Sequence, residues 1–270
     1  MSGGETRRVN RVKQTLADGG VAVGAIMQIA SPELIEIAGH AGCDFVIVDC
    51  EHGSFQLERA VELFRAADAI GVTPIARVPS NDPGFIMRVL DAGAMGVVIP
   101  NVCGKEAIER AVSAARYKEG QNNGTRGACP GTRATWHQTT DWKAFVRWSN
   151  DNVMVWALIE NSEAAGNIDK ILGVAGLNAI MIGPFDLAHD MGYPGESLHP
   201  QVTAALERVV KRAQDKGIGV VATFFSTTPE AMAQERERWV AKGVRILSIG
   251  SDRRLIYTAM ARAFDSVRGK

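Results

Sequence analysis

Eight short apolar segments recur along the chain, each followed by a segment with helical spacing, and this alternation restricts the possible folds more than any other feature. The apolar segments are rich in β-branched residues and span 21–29, 45–50, 73–78, 96–101, 153–160, 179–184, 219–225 and 244–251. Each is continuous rather than alternating, as expected for parallel strands covered on both faces. Many of the intervening segments begin at Ser-Pro, Asp-Pro or Thr-Pro and end at glycine, the signals that start and stop helices.

Eight strand–helix units predict an α/β protein with one domain, a (β/α)8 TIM barrel over residues 1–270. The alternative is an open doubly wound sheet, but no G-x-G-x-x-G follows the first strand. Residues 118–152 interrupt the rhythm between the fourth helix and the fifth strand, and they are far longer than a usual αβ loop. This 118–152 excursion, which includes Arg126, Arg133 and Trp136, is interpreted as functional, oligomeric or partly helical, or as a surface excursion.

The composition excludes several classes of partner. Lys plus Arg and Asp plus Glu each number 30, so no positive excess favours binding to nucleic acid or an anionic membrane. No apolar run is long enough to span a bilayer, and the first twenty residues have no apolar core of the signal-peptide type. The spacing of Cys43, Cys50, Cys103 and Cys129 does not suggest a disulfide framework. We therefore expect a cytoplasmic protein with reduced thiols.

Ionisable and polar residues gather at the ends of the predicted strands, where the active site of a TIM barrel lies. The second strand ends in FVIVDCEH, which places Asp49, Glu51 and His52 directly after an apolar run. The other strand ends contribute Arg77, Pro100, Asn101, Glu160, Gly183, Pro184, Asp186, Thr223, Gly250, Ser251 and Asp252. Because parallel strand ends meet on one rim, the sequence predicts a polar site built mostly from strands two to six.

Two carboxylates, Glu160 and Asp186, follow the fifth and sixth strands and are expected to be neighbours. Adjacent carboxylates repel unless a cation or a proton lies between them. Two carboxylates, with water and substrate completing the shell, are a usual way for proteins to hold Mg²⁺ or Mn²⁺. Alternatively, Glu160 belongs to the start of the next helix, because Asn161, Ser162 and Glu163 also resemble a helix start. The spacing alone leaves both interpretations open.

Arg77 closes an apolar strand, where an arginine is rarely buried without a partner. It either forms a structural salt bridge with Asp49 or Glu51, or directs its guanidinium at an oxyanion of a substrate. His52 taken alone fits a loop histidine. Its place on the same rim as the other ionisable groups favours a functional role.

Taken together, the segments VDCEH, IARVPSND, VIPNV, RG, WALIENSEA and IGPFDLAHDMGYPG resemble the HpcH/HpaI family of metal-dependent class II aldolases, over most of the chain. The resemblance implies a TIM barrel that cleaves 4-hydroxy-2-keto acids to pyruvate and an aldehyde, as in the breakdown of aromatic compounds. It implies a divalent metal (Mg²⁺, Mn²⁺ or Co²⁺) as the cofactor, and small-molecule keto acids and aldehydes as partners. It also implies a homo-oligomer, a hexamer in most members, which agrees with the tryptophans of the 118–152 excursion.

The resemblance implies roles by position. Glu160 and Asp186 match the metal ligands. Arg77 matches the arginine that stabilises the enolate of pyruvate, and no lysine is needed because the metal replaces a Schiff base. His52 matches the histidine that helps to move the proton of the aldol hydroxyl, with Asp49 as the acid that orients it.

Other positions match or depart from the family pattern. Asp91 matches an acid that acts across a subunit boundary, and the substrate carboxylate is expected at the turn of Gly183, Pro184, Phe185 and Asp186. Leu158 stands where the family commonly has glutamine, on the strand face that also carries Glu160. Cys50 and Phe185 replace the common glycine and alanine. These departures predict a bulkier or more apolar substrate.

Two other functions remain open at this point. A citrate-lyase-β-like lyase acting on an acyl-CoA thioester needs a basic patch for the phosphates of CoA, and only Arg126 and Arg133 suggest one. A barrel that binds keto acids without turnover is supported only by Leu158. The presence of both carboxylates, Arg77 and His52 favours the aldolase.

Overall fold

The structure is a computed structural model that describes residues 8–137 and 139–269, and it confirms the predicted (β/α)8 barrel. Eight parallel strands pair in chain order, and the barrel closes where β1 pairs with β8. The strands are β1 (Ala22–Met27), β2 (Phe45–Asp49), β3 (Thr73–Arg77), β4 (Gly96–Ile99), β5 (Met154–Ile159), β6 (Ala179–Ile182), β7 (Gly219–Thr223) and β8 (Ile246–Ser251). Each of them lies within one of the eight apolar segments of the sequence.

Helices surround the barrel and begin largely where the sequence predicts. They are α1 (Arg11–Ala17), α2 (Pro32–His40), α3 (Leu57–Ala69), α4 (Pro83–Asp91), α5 (Lys105–Ala115), α6 (Trp142–Asn152), α7 (Ser162–Gly166), α8 (Ile168–Ile171), α9 (Pro184–Asp190), α10 (Pro200–Asp215), α11 (Pro229–Ala241) and α12 (Asp252–Val267), with a 3₁₀ turn at Arg133–Thr135. The side chains of Ser31, Asp82 and Thr228 cap α2, α4 and α11 just before a proline. Within residues 8–137 and 139–269, no helix is long and apolar enough to cross a membrane.

Alternate residues of each strand enter two different cores. Phe45, Ile47, Ile75 and Trp156 belong to the cluster inside the barrel, whereas their strand neighbours pack outwards against the helices. Because strand side chains alternate between faces, the residue two positions after an interior residue also faces inwards. This places Asp49, Arg77 and Glu160, which follow Ile47, Ile75 and Leu158, at the mouth of the barrel on the carboxyl side.

The 118–152 excursion runs from α5 to the start of β5, so it lies on the amino-terminal face of the barrel. Trp142 and Trp148 of α6 pack with Phe145 and Tyr117 of the same chain, while Trp136 remains half exposed. Arg126 binds Asp91, with 2.6 Å between Nη2 and Oδ1. Arg133 binds Asp68 over 2.5 Å. The excursion thus ties the amino-terminal face together, away from the strand ends that carry the predicted site.

Candidate active site

A cavity of about 470 Å³ opens at the carboxyl ends of the strands. Its volume falls in the range of small-molecule sites. Several predicted site residues line it, namely His52, Arg77, Leu158, Gly183, Pro184, Phe185 and Asp186. The wall also contains Gln28, Phe224, Phe225 and Arg254, to which the sequence analysis gave no role. The strand ends therefore meet around one pocket that is mostly apolar with a few charged groups.

Arg77 is held in place by a buried aspartate from the neighbouring strand. Asp49 and Arg77 are register partners of β2 and β3, and the carboxylate accepts hydrogen bonds from Arg77 Nε at 2.8 Å and Nη2 at 2.5 Å. Gln28 Nε2 donates to the same carboxylate at 2.8 Å. Burial alone would raise the pKa of Asp49, but the hydrogen bond and charge of Arg77 outweigh it, so that pKa is lowered. The pair is ionised, and it fixes the guanidinium at the cavity wall.

The structure thus contains the salt bridge that the sequence left open for Arg77. Its Nη1 also lies 3.4 Å from Glu51 Oε2, so two acids hold the side chain. The same guanidinium lines the cavity, where a ligand can meet it. A fixed arginine that reaches a pocket can bind an anion without the entropic penalty of ordering its side chain.

His52 is placed differently from the expectation. Asp49 was expected to orient the imidazole of His52, but its carboxylate accepts hydrogen bonds from Arg77 and Gln28. From His52 it accepts the backbone N–H, at 3.2 Å, and not the imidazole. The His52 side chain is 61% exposed, and its Nε2 lies 3.9 Å from Glu51 Oε2. Asp49 therefore positions the backbone of this loop and the guanidinium, while the imidazole lines the cavity near Glu51.

Glu160 is fixed by its neighbours on both sides. Ile159 pairs in register with Ile182, which sets Glu160 beside Gly183. A Cβ on Gly183 would come within 2.8 Å of Glu160 Cβ, so only glycine fits there. On the other side, Glu160 Oε1 accepts the backbone N–H of Asn101 at 2.7 Å. Asn101 has φ 52°, a left-handed conformation that asparagine tolerates better than most residues.

The carboxylates around Glu160 carry more negative charge than Arg77 balances. Burial, together with the charges of Glu51 and Asp186, raises the pKa of Glu160 to about 7, although the Asn101 amide and Arg77 act in the opposite direction. The pKa of Glu51 is also raised, chiefly by burial. Glu51 Oε2 is buried and makes no hydrogen bond within the described residues. A divalent cation would relieve this excess, and oxygen donors are the ligands that Mg²⁺ and Mn²⁺ prefer.

The described part of the chain contains no group of three His, Cys, Asp or Glu side chains placed to hold a metal by themselves. The protein can still supply two carboxylates, with water and substrate providing the remaining oxygens, which is a common arrangement for Mg²⁺. Glu160 is nearly buried, whereas Asp186 is exposed in the first turn of α9. Asp186 lines the cavity and Glu160 does not. Two carboxylates suit a hard divalent cation.

The turn between β6 and α9 supplies backbone donors. Pro184 occupies the first position of α9, and the first helical hydrogen bond runs from Leu187 N to Gly183 O at 3.0 Å. The amides of Phe185 and Asp186 precede that bond, as at any helix N-terminus. The ring of Phe185 is 54% exposed. Leu158 is buried in the cavity floor, where its Cδ1 lies 3.5 Å from the position of a Cβ on Gly183.

Asp91, in contrast, does not line the cavity. It ends α4 on the amino-terminal face and pairs there with Arg126. Among the residues missed by the sequence analysis, Gln28 follows β1 and Arg254 follows β8. The rule that polar groups at strand ends face the site finds Gln28, since it stands in the first apolar segment. Arg254 lies four residues beyond Gly250, within a helix, where strand periodicity gives no signal.

Comparison with known proteins identifies the family of the chain. The family model described as HpcH/HpaI aldolase/citrate lyase matches residues 24–259. The chain is 31% identical to 5-keto-4-deoxy-D-glucarate aldolase of Shigella dysenteriae serotype 1 (strain Sd197), over 96% of this chain and 97% of that protein.

Solved structures agree as well. An HpcH/HpaI aldolase from Desulfitobacterium hafniense DCB-2 is 30% identical with a TM-score of 0.87, and the match covers 95% of this chain and 96% of that one. The citrate synthase SbnG is 29% identical with a TM-score of 0.85, over 95% and 97% of the two chains. The chain therefore belongs to the HpcH/HpaI aldolase/citrate lyase family, and it is an enzyme of the lyase type that acts on carbon–carbon bonds.

Proposed function

We propose that this enzyme is a divalent-metal-dependent aldolase that makes or breaks the C3–C4 bond of a 4-hydroxy-2-keto acid, through a pyruvate-type enolate. The observation that carries the proposal is the excess of carboxylate charge around Glu160 beside the fixed guanidinium of Arg77. The similarity to an enzyme named 5-keto-4-deoxy-D-glucarate aldolase supports a keto acid as the substrate class.

Glu160 and Asp186 would hold Mg²⁺, Mn²⁺ or Co²⁺ beside the cavity, which Asp186 lines. The raised pKa of Glu160, about 7, supports a cation at this place. When bound, the cation supplies a Lewis acid for the oxygens of the keto acid. The other parts of the reaction fall to side chains of the chain itself.

Arg77 stabilises the negative charge that develops on the keto oxygen. Its guanidinium is already oriented by Asp49 and Glu51, so it needs no reorganisation when the charge appears. Gln28 supports Asp49 in turn. Such an interaction accelerates the reaction to the extent that it is stronger in the transition state than with the substrate.

His52 removes the proton of the 4-hydroxyl. In the cleavage direction the hydroxyl becomes the aldehyde carbonyl, the electrons of the C3–C4 bond pass into the enolate, and a proton added to C3 gives pyruvate. The exposed imidazole in the cavity lining supports this role, because a substrate in the cavity would meet it. The turn of Gly183, Pro184, Phe185 and Asp186 receives the substrate carboxylate through its amides, and Leu158 provides an apolar floor.

The acyl-CoA alternative loses its main support. It needed free cations in the 118–152 excursion, but Arg126 and Arg133 are paired with Asp91 and Asp68 on the opposite face of the barrel. Neither side chain lines the cavity that contains Arg77.

The proposal includes self-association. The residues Tyr257, Met260, Phe264 and Val267 of α12 expose large apolar side chains at helical spacing, and covering them with a second copy would remove them from water. A role for Asp91 in catalysis also requires such an assembly, because this residue does not reach the cavity of its own chain. Light scattering at micromolar concentration tests this point, and a monomer would contradict it.

Turnover of a panel of 4-hydroxy-2-keto acids, with Mg²⁺ or Mn²⁺ and with EDTA, tests the central proposal. We expect pyruvate as a product, activity that EDTA abolishes and added metal restores, and metal-dependent exchange of the methyl protons of pyruvate in D₂O. Activity unchanged by EDTA, or no reaction and no exchange with any member of the panel, would contradict the proposal.

A further inference from the structure

A second cavity, of about 340 Å³, lies on the amino-terminal face of the barrel, opposite the candidate active site. This amino-terminal cavity opens between α1 and the loop that joins α3 to β3. Its polar lining consists of Arg8, Arg11, Gln14 and Asp68, and the rest of the wall is mostly apolar. None of these four residues lines the cavity that contains Arg77, so the proposed aldol reaction gives them no role.

Positive charge is crowded behind the wall of the amino-terminal cavity. Asp68 Oδ2 lies 3.3 Å from Arg8 Nη1 and 2.5 Å from Arg133 Nη2, so one carboxylate oxygen serves two guanidinium groups. The two groups converge, since a Cβ at Gly93 would clash with both of them. Burial lowers the pKa of Arg8, and the charges of Arg133 and Arg126 add to this effect, although Asp68 acts in the opposite direction. Asp68 alone therefore does not neutralise the two arginines.

Arg11 adds a further positive charge at the same cavity. Its side chain is exposed, and its Nη2 lies 3.3 Å from the position of a Cβ on Gly71, which belongs to the cavity wall. Among the residues that the structure describes, no carboxylate pairs with this guanidinium. The backbone N–H of Arg11 donates to Thr73 Oγ1 at 2.8 Å, and Thr73 is 1% exposed. Arg11 thus extends from an anchored base, which limits the entropy lost when its guanidinium binds a ligand.

We infer that the amino-terminal cavity binds a doubly charged oxyanion, either free phosphate or the phosphate group of a small metabolite, between Arg11 and Arg8. Arg8, Arg11 and Arg133 against Asp68 leave two positive charges, which match the charge of a phosphate group. The planar fork of arginine suits phosphate, and the Gln14 amide offers a further donor. The apolar wall can receive the carbon atoms of a phosphate ester. The inference concerns the opposite face of the barrel, so it does not depend on the proposed function.

Equilibrium dialysis of the full-length chain against labelled inorganic phosphate tests the inference. The buffer contains EDTA, so that no phosphate is held through a metal ion, and its pH is about 8, where phosphate carries close to two negative charges. We expect the wild type to bind a single phosphate saturably. Arg11→Gln should weaken that binding by about 10- to 100-fold, as for one hydrogen bond between charged groups, and Arg11→Lys should keep part of it. Because Arg11 is exposed, both variants should keep a native melting curve in chloride.

Arg254→Gln is the matched control, because Arg254 lines the candidate active site and the change alters the net charge equally. It should leave phosphate binding unchanged. Three results would overturn the inference: no saturable binding to the wild type, binding to Arg11→Gln as tight as to the wild type, or a loss of binding in Arg254→Gln alone. The last result would place the anion in the candidate active site.

Two further measurements identify the source of the phosphate group and its effect on the fold. Displacement of the label by glycerol 3-phosphate at lower concentrations than by unlabelled phosphate would make a phosphate ester the ligand, and the reverse order would make it the free ion. Either order supports the site. The wild type should also melt at a higher temperature in phosphate than in chloride of equal ionic strength, whereas Arg11→Gln should not. An equal rise in both proteins would be a general effect of the salt and would contradict the inference.

Discussion

The two faces of the barrel both contain buried pairs of arginine and aspartate, but they balance charge differently. On the amino-terminal face, Asp68 lies between Arg8 and Arg133, with Oδ2 at 3.3 and 2.5 Å from their nitrogens. Arg126 holds Asp91 there. Three arginines thus face two aspartates, and Arg8 and Arg133 also donate to the carbonyls of residues 93 and 92. Both aspartates of this face are therefore paired with arginines, as expected of a region that stabilises the fold.

The carboxyl face leaves its charges unbalanced. Arg77 faces Asp49 and Glu51, and the charges of Glu160 and Asp186 lie close enough to shift the pKa of neighbouring groups. Folding alone gains nothing from gathering Asp49, Glu51 and Glu160, all buried or largely buried, around one guanidinium, since each buried charge needs a partner. Buried arginines and carboxylates therefore indicate a stabilising role where each acid is paired with a base. They indicate a bound ligand where the carboxylates outnumber the cations.

The largest expected effect comes from Glu160→Gln. If Glu160 is a metal ligand, its loss removes a contribution of several kcal/mol to the transition state, so turnover should fall by about 10³-fold or more. The free energy of unfolding of the metal-free protein should stay the same or rise, because burial and neighbouring acids disfavour the ionised carboxylate. Steady-state kinetics and urea unfolding with EDTA measure the two quantities. A large loss of stability with normal turnover of the folded protein would make Glu160 a structural residue.

Arg77→Ala should lower both turnover and the stability of the fold. Turnover should fall by about 10²- to 10³-fold, the usual loss for one oxyanion donor, in both aldol cleavage and pyruvate proton exchange. Stability should fall by about 3–5 kcal/mol, because Asp49 is fully buried and would lose its partner.

A double variant separates these two roles of Arg77. Replacing the pair by Arg77→Met with Asp49→Asn removes the unpaired charge, so it should recover part of the lost stability without recovering turnover. If the double variant recovers turnover as well, the guanidinium acts only through folding. The mechanism proposed for the carboxyl face would then be wrong.

His52→Ala should slow aldol cleavage more than exchange of the pyruvate protons, whereas Arg77→Ala should slow both. Loss of a general base costs about 10²-fold or more in aldol cleavage. Exchange of the pyruvate methyl protons does not involve the 4-hydroxyl, so it should fall much less. The imidazole is 61% exposed, which makes a large change in stability unexpected. Equal losses in cleavage and exchange would assign His52 to the enolate instead of the hydroxyl proton.

These expectations also mark what the sequence alone can predict. All eight strands were predictable because a strand covered on both faces must be apolar along its whole length. The rule that strand ends converge then identified Arg77 and His52 as residues near a site, and both line the cavity.

The partners of these residues were not predictable in the same way. Whether Arg77 pairs with Asp49 or Glu51 depends on the register of β2 and β3, which aligns Asp49 with Arg77. That register results from packing between strands, and no local pattern encodes it. Likewise, nothing in the 118–152 excursion itself indicated that Arg126 would bind Asp91 on the face opposite the cavity.

Arg133→Met tests whether the amino-terminal face of the barrel serves stability alone. The side chain is 13% exposed and binds Asp68, which keeps Arg8 as a second partner. We expect a loss of about 1–3 kcal/mol in stability, the range for hydrogen bonds to charged groups, and turnover per folded molecule within about twofold. Arg59→Met is the control, since Arg59 is 64% exposed and its pair with Glu62 should contribute little. A loss of turnover in Arg133→Met at full stability would show that the amino-terminal face takes part in the reaction.

The smallest expected effect concerns the apolar floor of the carboxyl face. Leu158 is 3% exposed and lies beside Gly183 in the cavity, so Leu158→Gln places an amide among carbon atoms. Unless the substrate or water pairs with that amide, stability should fall by about 1–3 kcal/mol. A site that offers a hydrogen bond discriminates between substrates more sharply than an apolar one. The ratio of kcat/KM values should therefore move towards smaller or more polar keto acids, by about tenfold at most, as one hydrogen bond allows. Leu158→Met, which keeps the floor apolar at similar volume, is the control and should leave the ratio unchanged. If Leu158→Gln alters stability but not the ratio, this residue does not touch the substrate, and the preference for bulkier substrates must come from Phe185 or from another part of the cavity wall.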